Sequence, residues 1–143
     1  MSQRLQDIMT RQVATVQPHQ SLEEAARIMN DYNVGAVPVV ENGQCVGMIT
    51  DRDIAIRASA QNRDSQTQVR NVMTHNIVTA PAQMDVHEAA DLMAKNQIRR
   101  LPVVDNNQVV GIVALGDLAV QNIYRNEAGD ALSDISQNNP TQG

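Results

Sequence analysis

Only one cysteine, Cys45, occurs in the 143 residues, and there is no tryptophan or phenylalanine. A single thiol closes no intrachain disulfide framework, which fits a reducing compartment and predicts a cytoplasmic protein. The only aromatics are Tyr32 and Tyr124, too few to make a platform on which single-stranded bases stack. Lys and Arg number 11 against 16 Asp and Glu, a formal net charge of −5, and no basic block stands out. Affinity for nucleic acid rests on a concentrated basic face, so a nucleic-acid partner is disfavoured. No apolar run approaches the roughly 18–20 residues that span a bilayer. The opening MSQRLQDIMT lacks the basic-then-apolar order of a signal peptide. Neither a membrane nor a secretory role is expected.

Recognisable chemistry is equally sparse. There is no P-loop, G-x-G-x-x-G, nucleophile elbow or Ser-His-Asp order, which argues against an enzyme. His19, His75 and His87 have no metal-ligand spacing and read as surface residues, so no metal is expected. Cys45 adjoins Val46 in an apolar run and reads as a small, half-buried core residue.

What the chain does have is a repeat. Compared with itself at an offset of 64 residues, it aligns without gaps from Ile8 to Ile54, with about 15 identities in roughly 47 positions. Met9-Thr10 falls on Met73-Thr74, Pro38-Val39-Val40 on Pro102-Val103-Val104, Val46-Gly47 on Val110-Gly111, and Asp53 on Asp117. The organisation expected is a first repeat over 1–60, a polar linker over 61–68 and a second repeat over 69–125. A polar, partly disordered tail follows over 126–143. A unit of about 50 residues buries too little surface to be secure alone, so the two should share a core through a pseudo-twofold.

Each repeat predicts the same elements. An extended segment (Val13–Val16, Ile77–Ala80) precedes a helix started by Ser21 with Glu24, or by Asp85 with Glu88, at capping-box spacing. Leu22, Ala25, Ala26 and Met29, like Val86, Ala89, Ala90 and Met93, recur at i, i+3, i+4, i+7 and give each helix one apolar stripe. Strands follow at Ala36–Val40 and Leu101–Val104, then tight turns at Glu41-Asn42-Gly43 and Asp105-Asn106-Asn107. Return strands over Gln44–Thr50 and Gln108–Ala114 lead into a last helix. The fold class is therefore α/β (α+β), two β-α-β-β-α repeats.

The informative point is the corner where Val46–Thr50 runs into the helix from Asp51. A helix start presents unpaired N–H groups and positive potential, which suit an anion. A carboxylate at Asp53 could accept hydrogen bonds from the two hydroxyls of a ribose. Thr50-x-x-Asp53 is equally a plain capping pair, and the sequence leaves both readings open.

Ile8-Met9-Thr10, Ala36-Val37-Pro38-Val39-Val40 and Gly47-Met48-Ile49-Thr50-Asp51-Arg52-Asp53, with their second copies, resemble the CBS domain, whose tandem pair is called a Bateman module. The likeness covers about Leu5 to Tyr124. With its short linker and DRDIAIRA motif, the chain resembles the small stand-alone bacterial members of the hypoxic response protein type. It implies a regulatory module that binds an adenosyl ligand, either AMP, ADP or ATP or an S-adenosyl compound, in clefts between the repeats. No required cofactor is implied, and the partners are an adenine nucleotide, a second copy in a homodimer and an effector protein. By motif position the resemblance implies ribose at Asp53 with Thr50 near phosphate and Ile77 and Val78 over the adenine. It implies ribose at Asp117 in the other cleft, with Thr10, Val13 and Ala14 lining the base pocket. Gly35-Ala36 and Arg99-Arg100 precede the two central strands, and Ile98–Pro102 resembles a family segment whose arginine binds phosphate.

Ala114 departs from the pattern where the second copy should carry Thr or Ser. One lost neutral hydrogen bond costs about 0.5–1.5 kcal/mol, so inequivalent clefts are expected, with the Asp53 cleft the better and the arginine pair offsetting the loss at the other. The competing function is a structural, dimerising module whose clefts stay vacant.

Overall fold

The computed structural model describes residues 3–120; the expected tail, Tyr124 and the end of the second repeat lie outside them. In chain order the elements are α1 (Leu5–Ile8), α2 (Leu22–Tyr32), β1 (Ala36–Glu41), β2 (Gln44–Thr50), a π-helix (Asp53–Ala58), a 3-10 turn (Val69–Asn71), β3 (Ala80–Pro81), α3 (Val86–Asn96), β4 (Arg100–Asp105), β5 (Gln108–Ala114) and α4 (Leu115–Val120). The chain folds into two compact units, and neither is one continuous stretch. Among the described residues, 3–11, 78–105 and 110–120 form the unit that contains Asp117; 12–77 and 106–109 form the unit that contains Asp53.

In the Asp53 unit, β1 and β2 pair antiparallel from Ala36↔Thr50 to Glu41↔Gln44, with a bulge at Val39/Val40. Asn42 (φ 52) and Gly43 (φ 79) supply the two positive-φ positions of a primed hairpin turn. Val16 joins the far side of β1 through a parallel bridge to Val39, and Thr74 joins the far side of β2 through an antiparallel bridge to Met48. The Asp117 unit repeats this order. Ala80 pairs parallel with Val103 of β4, β5 lies beside β4, and Thr10 bridges Ile112 of β5. Asn106 (φ 52) and Asn107 (φ 62) make the turn between β4 and β5, asparagine tolerating the left-handed region that most residues avoid.

The outer position on each sheet is thus filled by a Met-Thr segment that in sequence precedes the other repeat. Met9-Thr10 backs the second repeat's β5, and Met73-Thr74 backs the first repeat's β2. Both methionines are buried, Met9 in the core with Leu5, Val103 and Leu118, and Met73 in the core with Val37, Ile49 and Val69. The approach needs glycine. A Cβ on Gly47 would stand 2.7 Å from the Thr74 carbonyl oxygen, and one on Gly111 would stand 3.0 Å from that of Thr10 and run into the Met9 side chain.

Helix α2 begins as its sequence requires: Ser21 Oγ accepts the Glu24 N–H at 3.1 Å. Two more N–H groups of its first turn find carbonyls in the polar stretch 61–68, Leu22 on Thr67 at 2.9 Å and Glu23 on Ser65 at 3.0 Å. That stretch therefore caps a helix as well as connecting. Leu22, Ala25 and Met29 are buried as the stripe predicts, but Ala26 is exposed, and Ile28 packs on the core in its place. In α3, Val86, Ala89, Ala90 and Met93 are all buried. The helix expected from Asp51 is present, with Asp53–Ala58 wound as π-helix. The extended segment before the second repeat forms a ladder only at Ala80–Pro81, and Val13–Val16 contributes the single bridge at Val16.

Gly47→Ala should destabilise by about 1–3 kcal/mol, because backbone stands in the path of the new methyl group. Gly116→Ala, in α4 with nothing within 4 Å of the added carbon, should instead be neutral or stabilise by about 0.5–1 kcal/mol. Urea unfolding of the two variants checks the contrast, and equal effects would remove the close-approach argument.

Candidate functional site

At the end of β2 the chain turns into its helix through a set of short hydrogen bonds. The Asp51 N–H donates to the Gly35 carbonyl at 2.9 Å. The Asp53 N–H donates to Thr50 Oγ1 at 3.0 Å, and the Thr50 N–H donates to Asp53 Oδ2 at 3.1 Å. Each residue thus satisfies a backbone donor of the other, which is a reciprocal capping box. Asp53 is 7% exposed, the one buried charged residue among those described. Its other oxygen, Oδ1, faces Arg57 Nη1 at 3.6 Å, and that same nitrogen donates to the Met73 carbonyl at 3.3 Å. Arg57 is a partner that the sequence reading overlooked, although it lies one helical turn beyond Asp53 at i+4.

Thr50, Asp53, Gly35 and Ala36 are therefore gathered at one corner, Ala36 lying directly opposite Thr50. Arg52 is exposed there and forms no ion pair among the described residues. Val13, Ala14 and Ile77 belong to the same unit and are half-buried, but no hydrogen bond among the described residues ties them to the corner.

The Asp117 unit holds the second corner. The Ala114 N–H donates to Asp117 Oδ2 at 2.9 Å, and the Leu115 N–H donates to the Arg99 carbonyl at 2.8 Å. The geometry matches the first corner with half the capping box missing, because Ala114 has no hydroxyl to return. Asp117 is half-buried, and its Oδ1 has no ion-pair partner among the described residues; the position equivalent to Arg57 is Gln121 in the sequence. Arg99 and Arg100 are exposed at the start of β4. Thr10 exchanges both backbone hydrogen bonds with Ile112, two residues before Ala114, at 2.9 and 3.0 Å. Val78 packs partly buried on the core of this unit. Thr10, Val78, Arg99, Arg100 and Asp117 thus fall in one unit and Thr50, Asp53, Gly35, Ala36, Val13, Ala14 and Ile77 in the other. The expected neighbours Ile77 and Val78 are divided between them.

Other reactive groups are placed simply. Cys45 is 9% exposed, its thiol reaching the Gly47 carbonyl at 3.8 Å. Burial pushes the thiol up, and the Gly47 backbone offsets this in part. His19 and His75 are exposed and His87 half-buried. No three His, Cys, Asp or Glu side chains among the described residues stand close enough to hold a metal ion. No described helix is long and apolar enough to cross a membrane. A cavity of about 550 Å³ opens between α2, the π-helix and residues 63–65, lined by Leu22, Ala26, Ile54 and Ala58 with Arg27, Asp31, Arg63 and Asp64 around it. It reaches neither Thr50 nor Asp53.

Two copies of one α/β unit, each with an acid-capped strand-to-helix corner, define a tandem-repeat class of protein. The family model described as CBS domain matches residues 5–59 and 69–120. The chain belongs to the CBS domain family. It is 55% identical over 135 residues to the CBS domain-containing protein YhcV of Bacillus subtilis, covering 94% of this chain and 96% of that one. Among solved structures, Hypoxic Response Protein I with two coordinated zinc ions superposes with a TM-score of 0.76 at 32% identity, over 82% of this chain and 98% of that one. The CBS domain pair of protein MJ0100, in complex with 5′-methylthioadenosine and S-adenosyl-L-methionine, superposes with a TM-score of 0.76 at 33% identity, over 89% of this chain and 99% of that one.

Thr50→Ala should cost about 1 kcal/mol by stranding the Asp53 N–H, and Ala114→Thr should recover a gain of similar size at the other corner; denaturant melts read both. For Cys45, a folded pKa above the unfolded one means stability that is complete below the ordinary thiol range and declines as pH rises through it. Cys45→Ala should flatten that alkaline decline, and the native thiol should react with a chromogenic disulfide far more slowly than the urea-unfolded one.

Proposed function

We propose that this protein is a regulatory module that binds an adenosyl ligand at its strand-to-helix corners and passes on occupancy through a second copy or an effector protein. The observation that carries the reading is the carboxylate found twice at an equivalent corner, Asp53 beside Thr50 and Asp117 beside Ala114, each taking a backbone N–H on Oδ2. A carboxylate offers about four acceptor positions, so one backbone bond at Asp117, and one backbone bond with the Arg57 contact at Asp53, still leave room for two ribose hydroxyls. The bound 5′-methylthioadenosine and S-adenosyl-L-methionine of the MJ0100 domain pair support an adenosyl group as the ligand. In the Asp53 unit Val13, Ala14 and Ile77 offer apolar surface for a base, with Gly35 and Ala36 at the corner, and in the Asp117 unit Val78 and the Thr10 methyl do so. Relay is linkage: a ligand that favours one arrangement of the chain shifts whatever partner reads that arrangement.

The rival, a dimerising module with vacant clefts, draws on the same geometry, because a capping box explains Asp53 without a ligand. A thermal-shift series with AMP, ADP, ATP, 5′-methylthioadenosine and S-adenosylmethionine separates the two. A ligand at 100 times its Kd stabilises by about 2.7 kcal/mol, several degrees in Tm for a chain of this size. A shift that Asp117→Asn or Asp53→Asn diminishes supports the adenosyl module. No shift with any of the five leaves the dimerising module.

A further inference from the structure

We propose that the two corners select ligands of different charge: the Asp117 corner takes a phosphorylated adenosyl ligand, and Asp51 makes the Asp53 corner refuse one. The inference rests on the adenosyl reading above and adds which charge each corner admits. It reverses the ranking that the Thr50 hydroxyl suggests from sequence.

The decisive contact lies at Gly35. A Cβ built there would stand 3.0 Å from Asp51 Oδ2, so the Asp51 carboxylate occupies the space that a side chain at position 35 would use. At the equivalent position the other unit carries Arg99, and the partner of that residue is Leu115 in place of Asp51. The backbone bond is the same in both, Asp51 N–H to the Gly35 carbonyl at 2.9 Å and Leu115 N–H to the Arg99 carbonyl at 2.8 Å. One corner therefore holds a carboxylate over position 35, where its counterpart carries the exposed Arg99, followed by exposed Arg100 in place of buried Ala36.

The remaining cations do not undo this difference. Arg57 is taken up by Asp53 at 3.6 Å and by the Met73 carbonyl at 3.3 Å. Arg52 follows Asp51 on the helix, and consecutive helical residues do not share a face. A 5′-phosphate carries close to two negative charges at neutral pH. It meets Asp51 at one corner and, at the other, Arg99 and Arg100, whose side chains have no hydrogen bond or ion pair among the described residues and can each bind it with two parallel hydrogen bonds. An uncharged or sulfonium-bearing adenosyl ligand is not penalised at the Asp53 corner.

Isothermal titration with AMP and with 5′-methylthioadenosine, on the full chain, tests this. The uncharged compound should fill two sites per chain and AMP one. Arg99→Ala/Arg100→Ala should weaken AMP by roughly tenfold or more, the loss of a charge-assisted contact, and leave 5′-methylthioadenosine unchanged. Asp51→Asn, at an exposed position, should open the second AMP site, and raising the salt should weaken AMP alone. Equal stoichiometry and affinity for the two compounds, or an AMP preference that survives loss of both arginines, overturns the charge selection while the adenosyl reading stands. No heat with either compound overturns both.

Discussion

Each sheet depends on a backbone-to-backbone approach that only a residue without a side chain permits. At Gly47 and Gly111 a second piece of chain lies against the last strand so closely that its carbonyl oxygen fills the space of a Cβ. The paired hydrogen bonds of Thr74 with Met48 and Thr10 with Ile112 follow from that approach. So does the seating of Met73 and Met9, whose side chains close the two cores. Because strand β2 or β5 is backed in this way, its last residue is fixed, and with it the corner at which the chain turns into a helix.

The corner serves structure first. Thr50 and Asp53 satisfy one another's backbone donors, and burial of the Asp53 charge is balanced by Arg57. Such a carboxylate is held in one orientation by the fold itself. The same arrangement with Ala114 and without a cation at i+4 leaves Asp117 less enclosed. The two corners of the repeat have thus diverged through a few side chains around equivalent backbone hydrogen bonds.

Much of this was legible in the residues. Strands over Gln44–Thr50 and Gln108–Ala114 have the bounds their apolar patterns predict, and Asn42-Gly43 and Asn106-Asn107 turn as such pairs do. Ser21 caps through the Glu24 N–H as the spacing predicts, whereas Asp85 caps through the His87 N–H at 2.8 Å, one residue before the Glu88 partner expected. Ala26 misled because the i+4 position of a stripe is buried only if the layer beneath is wide enough. In α2 Ile28, at i+3 from Ala25, reaches the core instead, and Ala26 faces the cavity beside Ile54 and Ala58. The partner of each Met-Thr segment was hidden for a different reason. A contact made by two backbone hydrogen bonds leaves no side-chain period in so short a stretch. Arg57 was legible too, since i+4 from Asp53 is a spacing at which helical side chains meet. The Asp51 carboxylate over Gly35 is set by the fold, since nothing in the order of residues says which glycine a carboxylate will cover.

The crossing of the Met-Thr segments bears on how such a chain could have arisen. A single ancestral copy with the same leading segment would have had a bare outer strand and an open core, since the piece that completes it belongs to its neighbour. Lending that arm to a twin molecule and borrowing the twin's in return would close the strand. Tandem fusion of two copies turns this reciprocal loan into an intramolecular one, so that closure no longer depends on protein concentration.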